Sequence, residues 1–288
     1  MLVVTGATGA LGRAIVDRLL TRVPATEIVA SVRDPAKAGD LAARGVHVRQ
    51  ADFADAASVA GAFAGATKVL IVSLPLPTSI AVPQHRVAIE AARAAGAGRI
   101  LYTSQMGSDP RSAFSPMHTH AATEDLLRDC GVPFTALRNG FYIASALAMF
   151  GRGLRAGEVA APEDGPVAWT THGDLAEAAA VAMTSDAPSD ALNGISAPLT
   201  AGEALTLEQL AAIASEITGR AVRRVVVSDD AYRGALVASG LPAPVADMLV
   251  GMVEASRRGA FSRTDATLGR LIGRAPVTAK EALVQVLA

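Results

Sequence analysis

Apolar positions along this chain recur in two rhythms, and their alternation predicts the architecture. Short apolar and β-branched runs at 2–4, 27–32, 46–50, 68–72, 99–103 and 134–137 read as strands, several of them unbroken in the way of strands covered on both faces. Between them lie stretches with helical spacing. Ile15, Val16, Leu19 and Leu20 share one face, and helices are expected at 36–44, at 56–63 and over the alanine-rich 83–95. Strand and helix alternate five times in the first hundred or so residues, which predicts an α/β fold built on a doubly wound parallel sheet. Beyond about residue 150 the rhythm loosens. Gly151, Gly153 and Gly157 suggest a turn, 167–170 and 193–197 short strands, and Asp174 the N-cap of a helix over 175–183. Thr206 is placed to cap an amphipathic helix over 207–218, followed by a strand at 224–227 and helices at 229–238 and 244–257. The division expected is a Rossmann domain over 1–150 and a smaller α/β lobe over 151–288, with elements near 167–200 returning to the sheet.

The first strand stops at Thr5 and the first helix follows Gly12, with Gly6, Gly9 and Gly12 spaced GxxGxxG between them. Glycines there permit a tight turn, close approach of backbone to ligand and close packing of helix on strand. The helix that follows directs unpaired N–H groups and its positive dipole end at the loop, which suits a pyrophosphate. About twenty residues further on, the second strand ends in Arg33-Asp34-Pro35, where the selector of the adenosine ribose belongs. A guanidinium pairs the 2′-phosphate of NADP, so Arg33 favours NADPH. Asp34 either serves the ribose hydroxyls of NAD or starts the turn, so NAD stays open. At the end of the third strand, Asp52 and Phe53 either meet the adenine, or Asp52 is a turn residue or N-cap. Pro75 and Pro77 stiffen the loop after the fourth strand at the carboxyl edge of the sheet, where ligands bind.

The stretch from Met117 to Glu124 carries His118, His120 and Glu124. Glu124 follows His120 by one helical turn, so the two share a face. Two histidines and one acid are few for a metal site. An acid–base pair in which the carboxylate holds the imidazole is a second reading, and a helix start with surface-facing polar groups a third. The strand at 134–137 runs into Arg138-Asn139-Gly140-Phe141-Tyr142. That sequence reads either as a ligand wall, with Gly140 allowing close approach, or as a turn lock followed by core aromatics.

Composition narrows the class. Of 288 residues 51% are hydrophobic and 18% charged, so the chain folds, and a formal net charge of −1 without a dense basic cluster argues against nucleic acid. Cys130 is the one cysteine, which excludes an internal disulfide framework and fits a reducing cytoplasm; a small core residue after a helix is its expected role. No apolar run approaches the ~20 residues of a membrane helix. The first strand starts at residue 2, leaving no room for a leader, and a cytoplasmic protein is expected.

TGATGALG at the start, VRDP after the second strand, H-x-x-x-E in the middle, and the stretches LRNGFY and LTLEQLAAIASEITG together resemble the atypical short-chain dehydrogenase/reductases, in their NmrA-like branch, over nearly the whole chain. The likeness is greatest to bacterial NAD(P)H:quinone oxidoreductases and triphenylmethane reductases. It implies a Rossmann fold, NADP and hydride transfer. It also implies that Gly6, Ala7, Thr8, Gly9, Ala10, Leu11 and Gly12 hold the pyrophosphate and Arg33 the 2′-phosphate. Ser73, Leu74 and Pro75 would line the ribose, and Arg138, Asn139, Gly140, Phe141 and Tyr142 would sit by the nicotinamide. Thr103 and Ser104 join the cofactor candidates, and Gln105, Phe141, Tyr142 and Trp169 are the substrate candidates.

One departure matters. Ordinary short-chain reductases protonate a carbonyl oxygen with a Tyr-x-x-x-Lys pair, and here His120 and Glu124 occupy that spacing. Without that acid, quinones and cationic dyes suit the site better than simple ketones, because hydride addition leaves a delocalised oxyanion or a neutral product. His120 is the candidate proton donor or positioning group, with Glu124 orienting it. Two other functions stay open: an NADP/NAD redox sensor that binds a partner protein without turnover, and an isomerase or double-bond reductase supported by kinship alone. A homodimer is compatible with all of them.

Overall fold

Short runs of consecutive buried apolar residues fit strands covered on both faces, and the computed structural model puts these runs at the centre of the molecule. It describes residues 1–185 and 190–287, so the part of the returning segment at 186–189 lies outside the described residues. In chain order come β1 (Leu2–Thr5), α1 (Ala10–Leu19), β2 (Ile28–Val32), α2 (Gly39–Ala43), β3 (His47–Gln50), α3 (Ala56–Phe63), β4 (Lys68–Ile71), α4 (Thr78–Ala94), β5 (Arg99–Gln105), α5 (Pro116–Asp129) and β6 (Phe134–Asn139). Then follow β7 (Phe141–Tyr142), α6 (Ile143–Ala156), β8 (Glu158–Ala161), β9 (Trp169–Thr170), α7 (His172–Thr184), β10 (Gly194–Ile195) and α8 (Leu207–Thr218). β11 (Arg223–Val226), α9 (Asp229–Ala238), α10 (Ala243–Arg257), α11 (Thr267–Ile272) and α12 (Ala279–Leu287) complete the chain.

Among the described residues, seven strands form one parallel sheet in the order β10-β6-β5-β4-β1-β2-β3. Side chains alternate across it. Val3, Val29, Val69, Ile71, Ile100 and Tyr102 face α3, α4 and α5, while Val4, Ala30, Leu70, Leu101 and Leu137 face α1 and α7. Each fully buried leucine or isoleucine in these layers contributes about 1.5–3 kcal/mol. After β3 the chain crosses back to place β4 beside β1, so the loops leaving β1 and β4 diverge and open a crevice at the carboxyl edge. Returning elements close the far side: β10 pairs with β6, and Leu175, Ala179 and Met183 of α7 share the core of α1.

A third core lies beyond the strand ends and joins Met106, Met117, Phe141, Phe150 and Trp169 to residues of α8, α10 and α12. Two small parallel pairs, β8 with β11 and β7 with β9, belong to this region. Thr206 and Gln209 form a reciprocal capping box that fixes the start of α8.

Several local expectations are corrected. α4 begins at Thr78 and carries Pro83 within it, beyond the first turn. Gly151 and Gly153 lie inside α6 and only Gly157 ends it, with φ +93°. A Cβ on Gly153 would meet the Glu158 carbonyl oxygen at 2.4 Å, so that glycine serves packing. Thr171 caps α7, and Asp174 sits in its first turn, bonded to Thr171. Asp174 is buried and also takes the Val277 N–H (2.8 Å) and Arg274 (2.6 Å), pinning the C-terminal segment to α7. Cys130 is half-buried at the end of α5. Among the described residues no helix is long and apolar enough to cross a membrane.

Candidate active site

The loops at the carboxyl edge hold most of the candidate residues. In the β1–α1 turn, Gly6 has φ +59° and its carbonyl accepts from the Gly9 N–H (2.9 Å). Gly9 is the N-cap of α1 and offers no side-chain cap, and no acid occupies the first turn. The leading N–H groups are therefore left to a ligand, at the positive end of the helix. Gly6, Thr8, Gly9 and Ala10 are exposed there, whereas Ala7 and Leu11 are core residues that offer backbone only. A Cβ on Gly12 would stand 2.3 Å from the Gly6 carbonyl oxygen, a backbone atom with nowhere to move. Gly12→Ala is expected to cost about 1–3 kcal/mol and to widen the turn, read as a lower urea midpoint together with weaker binding of a dinucleotide.

Arg33 is exposed at the tip of β2, and its guanidinium makes no hydrogen bond or ion pair among the described residues. Asp34 accepts from the Ala36 N–H (3.1 Å) and caps the turn at Pro35–Ala38, so its carboxylate is committed to the chain. Asp52 likewise accepts from the Ala54 N–H (3.0 Å), and Asp55 caps α3. Phe53 is packed with Val3, Val29 and Phe63 in the core, which leaves little of its ring for an adenine.

The loop after β4 is pinned amide by amide. Val72 N–H donates to Thr5 Oγ1 (2.9 Å), Ser73 N–H to Thr103 Oγ1 (2.9 Å) and Leu74 N–H to His85 Nε2 (3.1 Å). Thr103 is thus a buried support of the loop. His85 is fully buried on α4, and burial, with His120 nearby, lowers its pKa to about 3.

β5 extends through Ser104 and Gln105, and β6 through Arg138 and Asn139, further than the sequence pattern indicates. The pairing expected of His120 and Glu124 is not formed. Glu124, 2% exposed, takes Ser104 Oγ–H (2.6 Å) and Arg138 Nε–H (2.9 Å) on Oε1 and Arg138 Nη2 (2.7 Å) on Oε2. This bidentate fork holds the Arg138 guanidinium charged beyond its ordinary range. Thr119, Thr123 and Glu124 face inward, not to the surface, and His118 and His120 are partly covered. His120 Nδ1 lies 2.9 Å from the Tyr102 hydroxyl, and burial lowers the His120 pKa to about 4.

A Cβ on Gly140 would meet Thr170 Oγ1 at 2.2 Å, so close packing and not ligand approach requires this glycine. Phe141 packs against Trp169 (ring centroids 5.5 Å apart) and Phe261 (5.0 Å), with Phe114 beside it (5.8 Å). Trp169 is 3% exposed and its indole N–H is bound to the Leu205 carbonyl (3.2 Å), which places it behind the wall and not in it. Tyr142 lies against His172, tilted to it with ring centroids 4.3 Å apart, and burial raises the Tyr142 pKa. Gln105 Nε2 and Asn139 Oδ1, in register across β5 and β6, are buried without hydrogen-bond partners among the described residues. Sequence reasoning missed Thr5, His85, Tyr102, Thr123, Phe114 and Phe261. Only His85 left a trace, as a polar residue on the Ala81-Ala88-Ile89-Ala92 stripe of α4. A cleft of about 420 Å³ among Arg111, Asp229, Arg233 and Asp247 lies outside this edge, and two of its charges pair as Arg233–Asp247.

Comparison with known proteins bears on this arrangement. Quinone oxidoreductase 2 of Escherichia coli is 39% identical over 284 residues, 98% of this chain and 97% of the relative. The crystal structure of the NADPH-dependent quinone oxidoreductase of Escherichia coli complexed with NADPH covers both chains completely, with a TM-score of 0.93 and 37% identity. That of the Citrobacter sp. triphenylmethane reductase complexed with NADP(H) also covers both completely, with a TM-score of 0.92 and 33% identity. The NmrA-like family model matches residues 1–272, and the chain belongs to the NmrA-like family.

Proposed function

We propose that this protein is an NAD(P)H-dependent reductase, with NADPH preferred, of quinones and similar conjugated acceptors. The observation that carries the reading is the uncapped N-terminus of α1 facing a crevice that also ends at Arg33, unpaired among the described residues, in a chain alike end to end to a quinone oxidoreductase. The α1 turn fits a pyrophosphate, and Arg33 fits the 2′-phosphate that distinguishes NADPH. When bound, NADPH supplies the acceptor with two electrons and one hydrogen as hydride, and a proton from water completes the hydroquinone. The pinned loop with Ser73, Leu74 and Pro75 lines the ribose. Tyr142 and the partly exposed ring of Phe114 wall a flat acceptor, and the segment from about residue 151 covers it. Arg138 acts through Glu124 as a support of this wall. A single cysteine suits a reducing, cytoplasmic setting.

The test is absorbance at the reduced-nicotinamide band with NADPH or NADH and a panel of quinones. NADPH is consumed faster than NADH, and Arg33→Ala lowers the preference at least about tenfold by raising KM for NADPH alone, the mark of a lost ground-state contact. Tight NADPH binding without turnover across the panel would instead indicate a redox sensor.

A further inference from the structure

On the reductase reading above, we propose that His120 meets the acceptor as a neutral Nε2–H donor, and that Tyr102 is the positioning residue that fixes this tautomer through Nδ1. The direction of each hydrogen bond follows from a group that can only donate. Leu74 N–H binds His85 Nε2 (3.1 Å), so His85 carries its proton on Nδ1 and donates it to Thr123 Oγ1 (2.9 Å). Thr123 directs its own proton to the Thr119 carbonyl (2.8 Å) and has none left for the Tyr102 oxygen nearby. The Tyr102 hydroxyl, fully buried, must therefore donate, and the acceptor in hydrogen-bonding geometry is His120 Nδ1 at 2.9 Å. An accepting Nδ1 leaves the His120 proton on Nε2. That nitrogen makes no hydrogen bond among the described residues and is not sealed from solvent.

The consequences are chemical. Burial keeps His120 neutral at pH 7, and the Tyr102 phenol is pushed well above its ordinary range, so neither gives up a proton as an acid there. A fixed N–H aimed at an acceptor oxygen stabilises the charge that builds on it during hydride addition, without proton transfer by the protein. This replaces the Tyr-x-x-x-Lys acid of ordinary short-chain reductases with a donor that suits a delocalised oxyanion. Tyr102 touches neither substrate nor cofactor in this scheme; it acts by orienting the imidazole.

The experiment is long-range ¹H–¹⁵N correlation on the full-length protein labelled at histidine nitrogen, at pH 7, with the His120 signals identified by their loss in His120→Gln. The expected spectrum shows His120 protonated on Nε2 and free on Nδ1. In Tyr102→Phe that preference gives way to a tautomer mixture, kcat with a quinone falls about tenfold, and the Kd for NADPH stays put. His120→Gln, which keeps an amide donor, retains more turnover than His120→Phe, and this comparison decides the matter if Tyr102→Phe does not fold. An Nδ1-protonated or doubly protonated His120 at pH 7 overturns the proposal. So does a His120→Phe enzyme as fast as the wild type, while the reductase reading survives. A wild type that turns over no quinone overturns that reading and this role together, whatever the spectrum shows.

Discussion

Glu124→Ala lowers the unfolding free energy by about 3 kcal/mol, the larger part of it through Arg138. Glu124 is almost sealed from solvent, and its two oxygens hold one hydroxyl and a two-pronged guanidinium. Removing it leaves the Ser104 O–H without an acceptor and a half-buried cation without its counter-charge. The side chain of Arg138 keeps 28% exposure, so water recovers part of the loss and the effect sits at the low end for a broken buried pair. Ser104→Ala, which removes a single hydrogen bond, costs about 1 kcal/mol. Replacing Glu124 and Arg138 together by leucine restores much of the stability, because the expense lies in an unpaired charge and not in an absent one. Urea unfolding of the wild type, Glu124→Leu, Arg138→Leu and the double variant gives the coupling directly. If Glu124→Ala instead unfolds with the wild type but loses turnover, then Glu124 acts on the chemistry and the pairing with Arg138 is incidental.

That pair also marks where sequence ceases to be informative. His120 and Glu124 are one turn apart on α5, and spacing alone makes them neighbours. The structure sends them apart, His120 to Tyr102 on β5 and Glu124 past it to Arg138 on β6, because the partner of a buried polar group is chosen across the sheet. Periodicity reports which face of an element is covered and carries no information on what covers it. Where local chemistry decides, the reading holds to the residue: α3 spans 56–63, α8 spans 207–218 behind its Thr206 cap, and α9 spans 229–238. Glycine is less legible, since Gly153 and Gly140 look like turn or ligand residues but answer to the Glu158 carbonyl and the Thr170 hydroxyl. Trp169 invited a functional reading by its rarity, and its place behind Phe141 is a matter of packing in the third core. α11 and α12, beyond Arg257, left no legible pattern and are held by contacts such as Asp174 with Val277.

Acid destabilises this protein earlier than its carboxylates alone require. In the unfolded chain His85 and His120 take up protons near pH 6.5, whereas in the folded protein burial holds them neutral down to about 3 and about 4. Below pH 6.5 the unfolded state therefore binds more protons than the folded one, and stability falls as pH falls, continuing until the folded pKa values are reached. Between pH 7.5 and 5.5 the two histidines together remove about 3 kcal/mol, and His172, also lowered by burial, acts in the same direction. Asp229 and Asp265, lowered chiefly by hydrogen bonds from Arg257 and Thr267, lose their contribution only as the pH nears the ordinary carboxylate range, so the two windows separate. Urea unfolding at the two pH values measures the drop, and His85→Gln, which keeps polar groups for Leu74 and Thr123 but does not titrate, should halve it. A stability flat across this range would show that neither imidazole is kept neutral by the fold, and an undiminished slope in His85→Gln would show that His85 is not. The same burial that creates this weakness lets His85 accept from Leu74, and protonating its Nε2 would turn that acceptor into a second donor facing the amide. Protonation of His85 thus frees the loop after β4 from its support on α4.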